Sequence, residues 1–169
     1  MDTEWMGRYR ALVSALVMHS NVVHRGLNEK TDIGDGIMLA PQEWQTLEYV
    51  VEHRDSHFSM ADASRALGIP PSSFSRIVKA LCSRDLIERF QVTHNKKNVI
   101  LRPSPYALRL YSQLDDGSGQ AMFKEFFRDL ESLSDEDLEV FTRALNRFTK
   151  RLPSARLIED QEDELIKID

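Results

Sequence analysis

The chain has 169 residues, of which 41% are hydrophobic and 29% charged, with a formal net charge of −5 and a single cysteine. This length allows one domain with a buried core plus accessory helices, and the composition is ordinary for a globular protein. The absence of an apolar run of about 18 residues predicts no membrane span, the opening MDTEWMGRYR predicts no secretory signal, and one cysteine excludes an internal disulfide and fits a reducing cytoplasm.

The first two elements are predicted from apolar periodicity. Leucines and valines recur at helical spacing over residues 5–27 and predict a helix. Residues 28–36 are polar, contain two glycines and predict a loop. Pro41 then begins a second helix in a favoured early position. The apolar face of this helix carries Trp44, Leu47, Val50 and Val51.

Residues 60–85 have the pattern of two helices joined by a tight turn. Gly68 suits the left-handed residue that ends a helix, and Pro71 suits the first position of the next one. The apolar positions of this second helix predict one buried face: Phe74, Ile77, Val78, Leu81 and Cys82. The opposite positions are Ser72, Ser73, Ser75, Arg76, Lys79 and Ser83.

That opposite face is the strongest functional signal in the chain. Small hydroxyl residues let a helix approach base edges and phosphates closely, and Arg76 and Lys79 lie about one turn further along. Considered alone, an ordinary solvated helix face explains the pattern equally well. The basic hairpin predicted directly after this helix favours contact with DNA.

Two short strands, residues 86–90 and 98–102, are predicted to flank a basic loop at residues 91–97. His94, Asn95, Lys96 and Lys97 at its tip suit a probe of the minor groove or of phosphates, although a simple exposed turn is the alternative. A helix-turn-helix followed by a β-hairpin is a winged helix. Residues 64–102 contain eight basic and two acidic residues, a local charge of +6, whereas residues 157–169 carry −5. Local charge attracts phosphate whatever the total.

The remaining sequence predicts helices. One runs from Ser104 through Leu114 and is interrupted at residues 115–119, because each glycine costs roughly 1 kcal/mol in a helix. Apolar periodicity resumes at residues 122–130, and Ser134 with Asp137 resembles a capping box that begins a last helix, ended by Pro153. Five phenylalanines in these helices need a partner surface, which a symmetric dimer would supply: Phe123, Phe126, Phe127, Phe141 and Phe148.

The predicted fold class is therefore mainly α with a small β-hairpin wing, a winged helix-turn-helix flanked by N- and C-terminal dimerisation helices. The boundaries predicted are residues 1–36 for the N-terminal dimerisation helix and loop, 37–103 for the DNA-binding domain, 104–155 for the C-terminal dimerisation helices, and 156–169 for an acidic tail. The tail is expected to be solvated, with folding back on the basic face as the alternative.

Over residues 11–152 the chain resembles the multiple-antibiotic-resistance-regulator (MarR) family of winged-helix repressors. The segments that carry this resemblance are LAPQEWQTLEYV, ASRALGIPPSSFSRIVKALCSRDLIER, the wing, and LSDEDLEVFTRALNRF. The resemblance implies a cytoplasmic homodimer that binds a pseudopalindromic double-stranded DNA operator. It also implies release of the DNA by a small ligand, a metal or an oxidant. No membrane attachment and no bound cofactor are expected from the sequence.

The resemblance also implies site residues. DNA contacts carry over to Ser72, Ser73, Ser75, Arg76, Lys79 and, at the base of the wing, Arg89. Asn95, Lys96 and Lys97 stand where the family has Asp-Arg-Arg, and lysine lacks the planar fork of arginine. Pro70 replaces a capping serine, and Asp85 replaces a glycine. A ligand pocket between dimer helices and winged module would involve, by analogy, His19, Trp44, Tyr49 and Tyr111.

Other interpretations of the chain are weaker. Cys82 lies on the apolar face of its helix and is expected to be a structural cysteine rather than a redox switch. His53 and His57 with nearby aspartates do not complete a set of metal ligands. A protein-interaction module whose acidic ends bind a basic partner is the alternative to a DNA-binding regulator. No nucleophile elbow, phosphate loop or metal set indicates an enzyme.

Overall fold

The computed structural model describes residues 4–27, 29–92, 95–113 and 119–152, with side chains described for residues 5–27, 29–91, 99–113 and 124–152. A 3-10 segment, Glu4–Tyr9, precedes the first α-helix. The elements then follow in the order α1 (Arg10–Gly26), β1 (Thr31–Asp32), β2 (Met38–Leu39), α2 (Pro41–Glu52), α3 (Met60–Ala66), α4 (Pro71–Ser83), β3 (Ile87–Val92), β4 (Asn95–Pro103), α5 (Pro105–Gln113), α6 (Gly119–Leu130) and α7 (Asp135–Lys150). The predicted fold class, mainly helical with a small hairpin, is confirmed.

The single helix predicted over residues 5–27 is wrong at its start. Gly7 has φ 48° and ψ −131°, which is not helical, so the chain enters α1 through the 3-10 segment instead. No residue of α1 is buried, and its apolar side chains include Val17 at 55% and Met18 at 65% exposure. The first helix therefore stands on the surface of the described chain.

The loop predicted at residues 28–36 contains half of a small hairpin. β1 pairs with β2 in antiparallel register, Thr31 opposite Leu39. The turn between them has positive φ at both central residues, Asp35 at 52° and Gly36 at 74°, and the Ile37 amide donates to the Gly34 carbonyl at 2.9 Å. Positive φ at both positions is what a type I′ hairpin turn requires, and Asp-Gly is a favoured pair for it.

The core lies among α2, α3, α4, α5 and the strands β2, β3 and β4. On α4, Phe74, Val78 and Leu81 are at most 1% exposed, whereas Ile77 and Cys82 of the predicted buried face are only partly buried against the same cluster. Fully burying each large apolar side chain contributes about 1.5–3 kcal/mol. This apolar face fixes which side of α4 remains turned to solvent.

The local signals at both ends of α4 act as predicted. Gly68, with φ +63°, ends α3 and begins the turn to α4, and Asp85, with φ 57°, lies two residues beyond the end of α4. Ser59 caps α3 through a reciprocal capping box with Asp62. Ser59 also forms an isolated bridge with Ile100 of β4.

The wing has longer strands than predicted. β3 and β4 pair from Ile87 opposite Pro103 to Gln91 opposite Val99, and Val92 pairs with Asn95 after a register shift. The predicted loop over residues 91–97 is therefore wrong in extent, because both strands continue into it. His94 lies outside the described residues.

The C-terminal helices have the predicted order. α5 ends at Gln113 and α6 begins at Gly119, while the rest of the predicted break lies outside the described residues. Ser134 caps α7 through a capping box with Asp137, and no residue of α7 is buried. In the described part of the chain, no helix is both long enough and apolar enough to cross a membrane.

Candidate nucleic-acid interface

The solvent-facing side of α4 carries the predicted recognition residues. Ser72, Ser75, Arg76 and Lys79 are exposed, and Ser73 is half-buried. The Arg76 guanidinium donates to the Ser73 hydroxyl at 3.2 Å, which holds the arginine along the first turn of the helix. The arrangement offers two cations and several small hydroxyl groups on one accessible surface, suited to phosphate oxygens and to acceptors on base edges.

A buried serine fixes the turn that precedes α4. The Ser64 hydroxyl, in a residue only 3% exposed, donates to the Ile69 carbonyl at 2.6 Å. The Ile69 amide in turn donates to the Ser64 carbonyl at 3.0 Å. The turn is thus closed by two hydrogen bonds between the same residues. Sequence reasoning missed this role, for which the only signal was a serine four residues before the terminating glycine.

The wing is attached to the helical part of the module by a basic residue. Arg102 on β4 donates to the Ser56 carbonyl at 2.9 Å, in the connector between α2 and α3. Arg89, on the neighbouring strand, is exposed. Asn95, Lys96 and Lys97 lie on the first residues of β4, and their side chains are outside the described set. The DNA-contact assignment of these four residues stays a prediction.

Arg84 does not lie with the exposed basic residues. Its side chain is 26% exposed and forms an ion pair with Glu43, which is 17% exposed. Its Nη1 also donates to the Met38 carbonyl at 3.0 Å, and its Nε donates to the Ala80 carbonyl at 3.1 Å. The eight basic residues counted within residues 64–102 therefore include one arginine whose charge is paired with a carboxylate of the same chain.

Glu43 is the other half of this contact. Its second carboxylate oxygen accepts the Ala40 amide at 3.0 Å, closing the first turn of α2. Burial raises the pKa of Glu43, but the Ala40 amide and the Arg84 guanidinium together lower the pKa by more, so the net direction is downward. The carboxylate is therefore held in its charged form at neutral pH.

Ser104 joins the wing to α5. Its hydroxyl donates to the Asp85 carbonyl and accepts the Ala107 amide at 2.9 Å, while its own amide donates to the Leu86 carbonyl at 3.1 Å. The residue is fully buried. One side chain thus connects Asp85, two residues beyond α4, with the first turn of α5.

The residues predicted for a ligand pocket fall into three places. Trp44 of α2 stacks on Tyr111 of α5, with ring centroids 5.9 Å apart. Tyr49 stacks on His53 at 4.0 Å. His19 is exposed on α1. The pocket stays a prediction, in which α2 and α5 supply one aromatic pair and α1 would supply the histidine.

The remaining candidates have ordinary environments. Burial raises the pKa of the Cys82 thiol, and Arg89 lowers it by less, so the half-buried thiol is kept protonated. His53 is packed against Tyr49, whereas His57 is exposed. Within the described residues, His, Cys, Asp and Glu side chains do not gather in threes as a metal site would need.

The winged module is the part of the chain that matches a known protein family. Residues 39–96 match the family model described as MarR family. The match confirms the predicted resemblance over the helix-turn-helix and the first part of the wing, about a third of the chain. A search of curated proteins gave no significant match.

Solved structures of MarR-type regulators share the fold. A cysteine-to-serine mutant of MarR from E. coli, solved with operator DNA, is 16% identical, with 88% of this chain and 99% of that chain covered and a TM-score of 0.58. A MepR–DNA complex from S. aureus is 19% identical, with coverages of 83% and 97% and a TM-score of 0.58. PcaV from Streptomyces coelicolor, solved with its natural ligand, is 16% identical, with coverages of 89% and 99% and a TM-score of 0.55. At these identities the comparison establishes the fold.

Proposed function

We propose that this chain is a cytoplasmic, sequence-specific regulator of transcription that binds double-stranded operator DNA as a homodimer. In this proposal residues 37–103 form the DNA-binding domain, residues 1–36 and 104–155 form the dimer, and residues 156–169 are an acidic tail. The exposed face of α4 enters the major groove, and the wing contacts the adjacent minor groove or phosphates.

One observation carries the proposal. α4 buries Phe74, Val78 and Leu81 and turns Ser72, Ser75, Arg76 and Lys79 to solvent, inside a segment that matches the MarR family model. A recognition helix needs this division, because its apolar side must be locked to the domain while its polar side reaches the bases. The DNA complexes of MarR and MepR, which share the fold, support the same placement.

The dimer is supported by the apolar side chains that the helices outside the winged module leave exposed. α1 and α7 bury no residue, although both are amphipathic. Their exposed large apolar residues, together with those of α6, are Leu12, Val13, Val17, Met18, Val22, Val23, Phe126, Phe127, Val140, Phe141, Leu145 and Phe148. Exposed apolar faces on several helices favour an interface with another chain. A two-fold dimer would also place two copies of α4 on successive half-sites, about 34 Å apart.

We further propose that the protein represses its target and is released by a small ligand. PcaV, which shares the fold, was solved with its natural ligand. The Trp44–Tyr111 stack and Tyr49 lie where α2 meets neighbouring elements, and aromatic rings are common in small-molecule sites. A ligand seated there would contact α5, which Ser104 connects to the end of α4.

The test is a fluorescence-anisotropy titration of the full chain with DNA from upstream of its own gene and with scrambled DNA, at two salt concentrations. Tighter binding to the native fragment, weakened by salt, is the expected result. Weak and equal binding to both DNAs would contradict the proposal and favour a winged helix that binds a protein partner. Sedimentation of the same sample is expected to give the mass of two chains.

A further inference from the structure

Arg84 is placed by the fold so that each of its three guanidinium nitrogens donates to an acceptor inside the protein. The guanidinium donates in three directions, to Glu43, to the Met38 carbonyl and to the Ala80 carbonyl. These three acceptors belong to α2, β2 and α4. The planar fork of arginine suits several fixed acceptors at once, and lysine has no equivalent geometry.

The contact lies at the C-terminal end of the recognition helix. Arg84 directly follows α4, so its charge also stabilises the negative end of that helix. Glu43 is fixed independently, because its other oxygen accepts the Ala40 amide at the start of α2. The end of α4 is therefore attached to a carboxylate that cannot move without losing its bond from the Ala40 amide.

The third acceptor extends the connection to α5. Met38 belongs to the β1–β2 hairpin, whose turn rests on α5: a Cβ on Gly34 would lie 2.9 Å from Leu110 Cδ1, and the Tyr106 hydroxyl donates to Asp35 at 3.2 Å. Ile33 of the same hairpin is buried in the core. Arg84 thus ties α4 to elements packed on both α2 and α5.

We infer that Arg84, held by Glu43, is a positioning residue that sets the orientation of α4 on the domain and thereby the preference for operator over other DNA. This inference rests on the proposed function. The variant that separates this role from simple electrostatics is at Glu43, which is partly buried beside Arg84. Electrostatics alone would make Glu43→Gln, which removes a negative charge, bind every DNA more tightly. A positioning role makes the same variant lose its preference for the operator.

The experiment measures affinities for native and scrambled DNA with wild type, Glu43→Gln, Arg84→Lys and the double variant. The matched control is Asp55→Asn, which also changes a carboxylate to an amide but removes an exposed negative charge, paired with Arg54, in the connector between α2 and α3. We expect the native-to-scrambled ratio to fall about fivefold to tenfold in each single variant, with scrambled-DNA affinity changed less than about twofold. The double variant is expected to lose no more than the worse single variant, since the two residues act as one unit. The control should keep the wild-type ratio.

Arg84→Lys retains the charge, and Glu43→Gln retains the shape and can still accept the Ala40 amide, so both variants are chosen to fold; a melting curve confirms that each is folded at the assay temperature. An unchanged ratio in the variants, or tighter binding of Glu43→Gln to both DNAs, would overturn the inference while leaving the regulator intact. A wild-type protein without preference would overturn the proposed function and the role of Arg84 with it.

Discussion

Replacing Ser64 by alanine isolates the contribution of the hydroxyl that closes the helix-turn-helix turn. The substitution removes the donor to the Ile69 carbonyl, in a site where both residues are at most 3% exposed. A buried acceptor left without its donor costs about 1–3 kcal/mol. Alanine is a better helix former than serine by about 0.5 kcal/mol, and the lost oxygen leaves little empty space. The free energy of unfolding is therefore expected to fall by about 0.5–2.5 kcal/mol.

A matched variant separates burial from the loss of a hydrogen bond as such. The Ser112 hydroxyl donates to the Arg109 carbonyl at 2.7 Å within α5, but it is exposed, so water replaces it in Ser112→Ala. The gain in helix propensity is the same in both variants. Urea unfolding at one protein concentration should place Ser64→Ala at least about 1 kcal/mol below Ser112→Ala. A difference below about 0.5 kcal/mol would refute the view that burial makes this bond important.

Four further outcomes are expected. Arg76→Ala should weaken operator binding by about 1–3 kcal/mol and relax specificity at one base pair, and equal losses on operator and random DNA would argue against base readout. Gly34→Ala should unfold more easily than Gly36→Ala, because both have positive φ but only the first new Cβ would meet a side chain of α5, at 2.9 Å; equal urea midpoints would contradict this. The folded-state pKa of Glu43 is lowered from 4.5, so the stabilisation that its charged form gives is present above that pH and is lost as pH falls through the folded pKa. The stability of Glu43→Gln should therefore decline less on acidification than that of wild type, and parallel pH curves for the two proteins would contradict this. Phe141→Asp, at a position 44% exposed in one chain, should leave the winged module folded and yield monomers in sedimentation, whereas persistent dimers would exclude α7 from the interface.

Much of the winged module could be predicted from sequence because its signals are local. Gly68 adopts the left-handed conformation expected of it, and Ser134 caps its helix through its own neighbours. The buried face of α4 follows from helical spacing, which depends only on residues within three turns. Each of these features is decided by a short segment, so the rest of the fold has little opportunity to override it.

The errors come from two physical causes. The β1–β2 hairpin was missed although Asp35-Gly36 is a hairpin signal, because its strands are too short to show an alternating pattern. The local charge of residues 64–102 includes Arg84, although its partner, Glu43, lies 41 residues away in sequence. No local pattern indicates which of several arginines will be desolvated, and only the packed structure decides that.

Ser104 also determines where the molecule is stiff. Its three hydrogen bonds meet between the last residues of the recognition unit and the first turn of α5, with the hydroxyl completely enclosed. A helix whose first turn is fixed in this way moves as a rigid body together with the residues that hold it. The nine residues of α5 extend about 13 Å. If the C-terminal end of α5 tilts, the end of α4 would therefore move with it, because the connection at Ser104 does not bend.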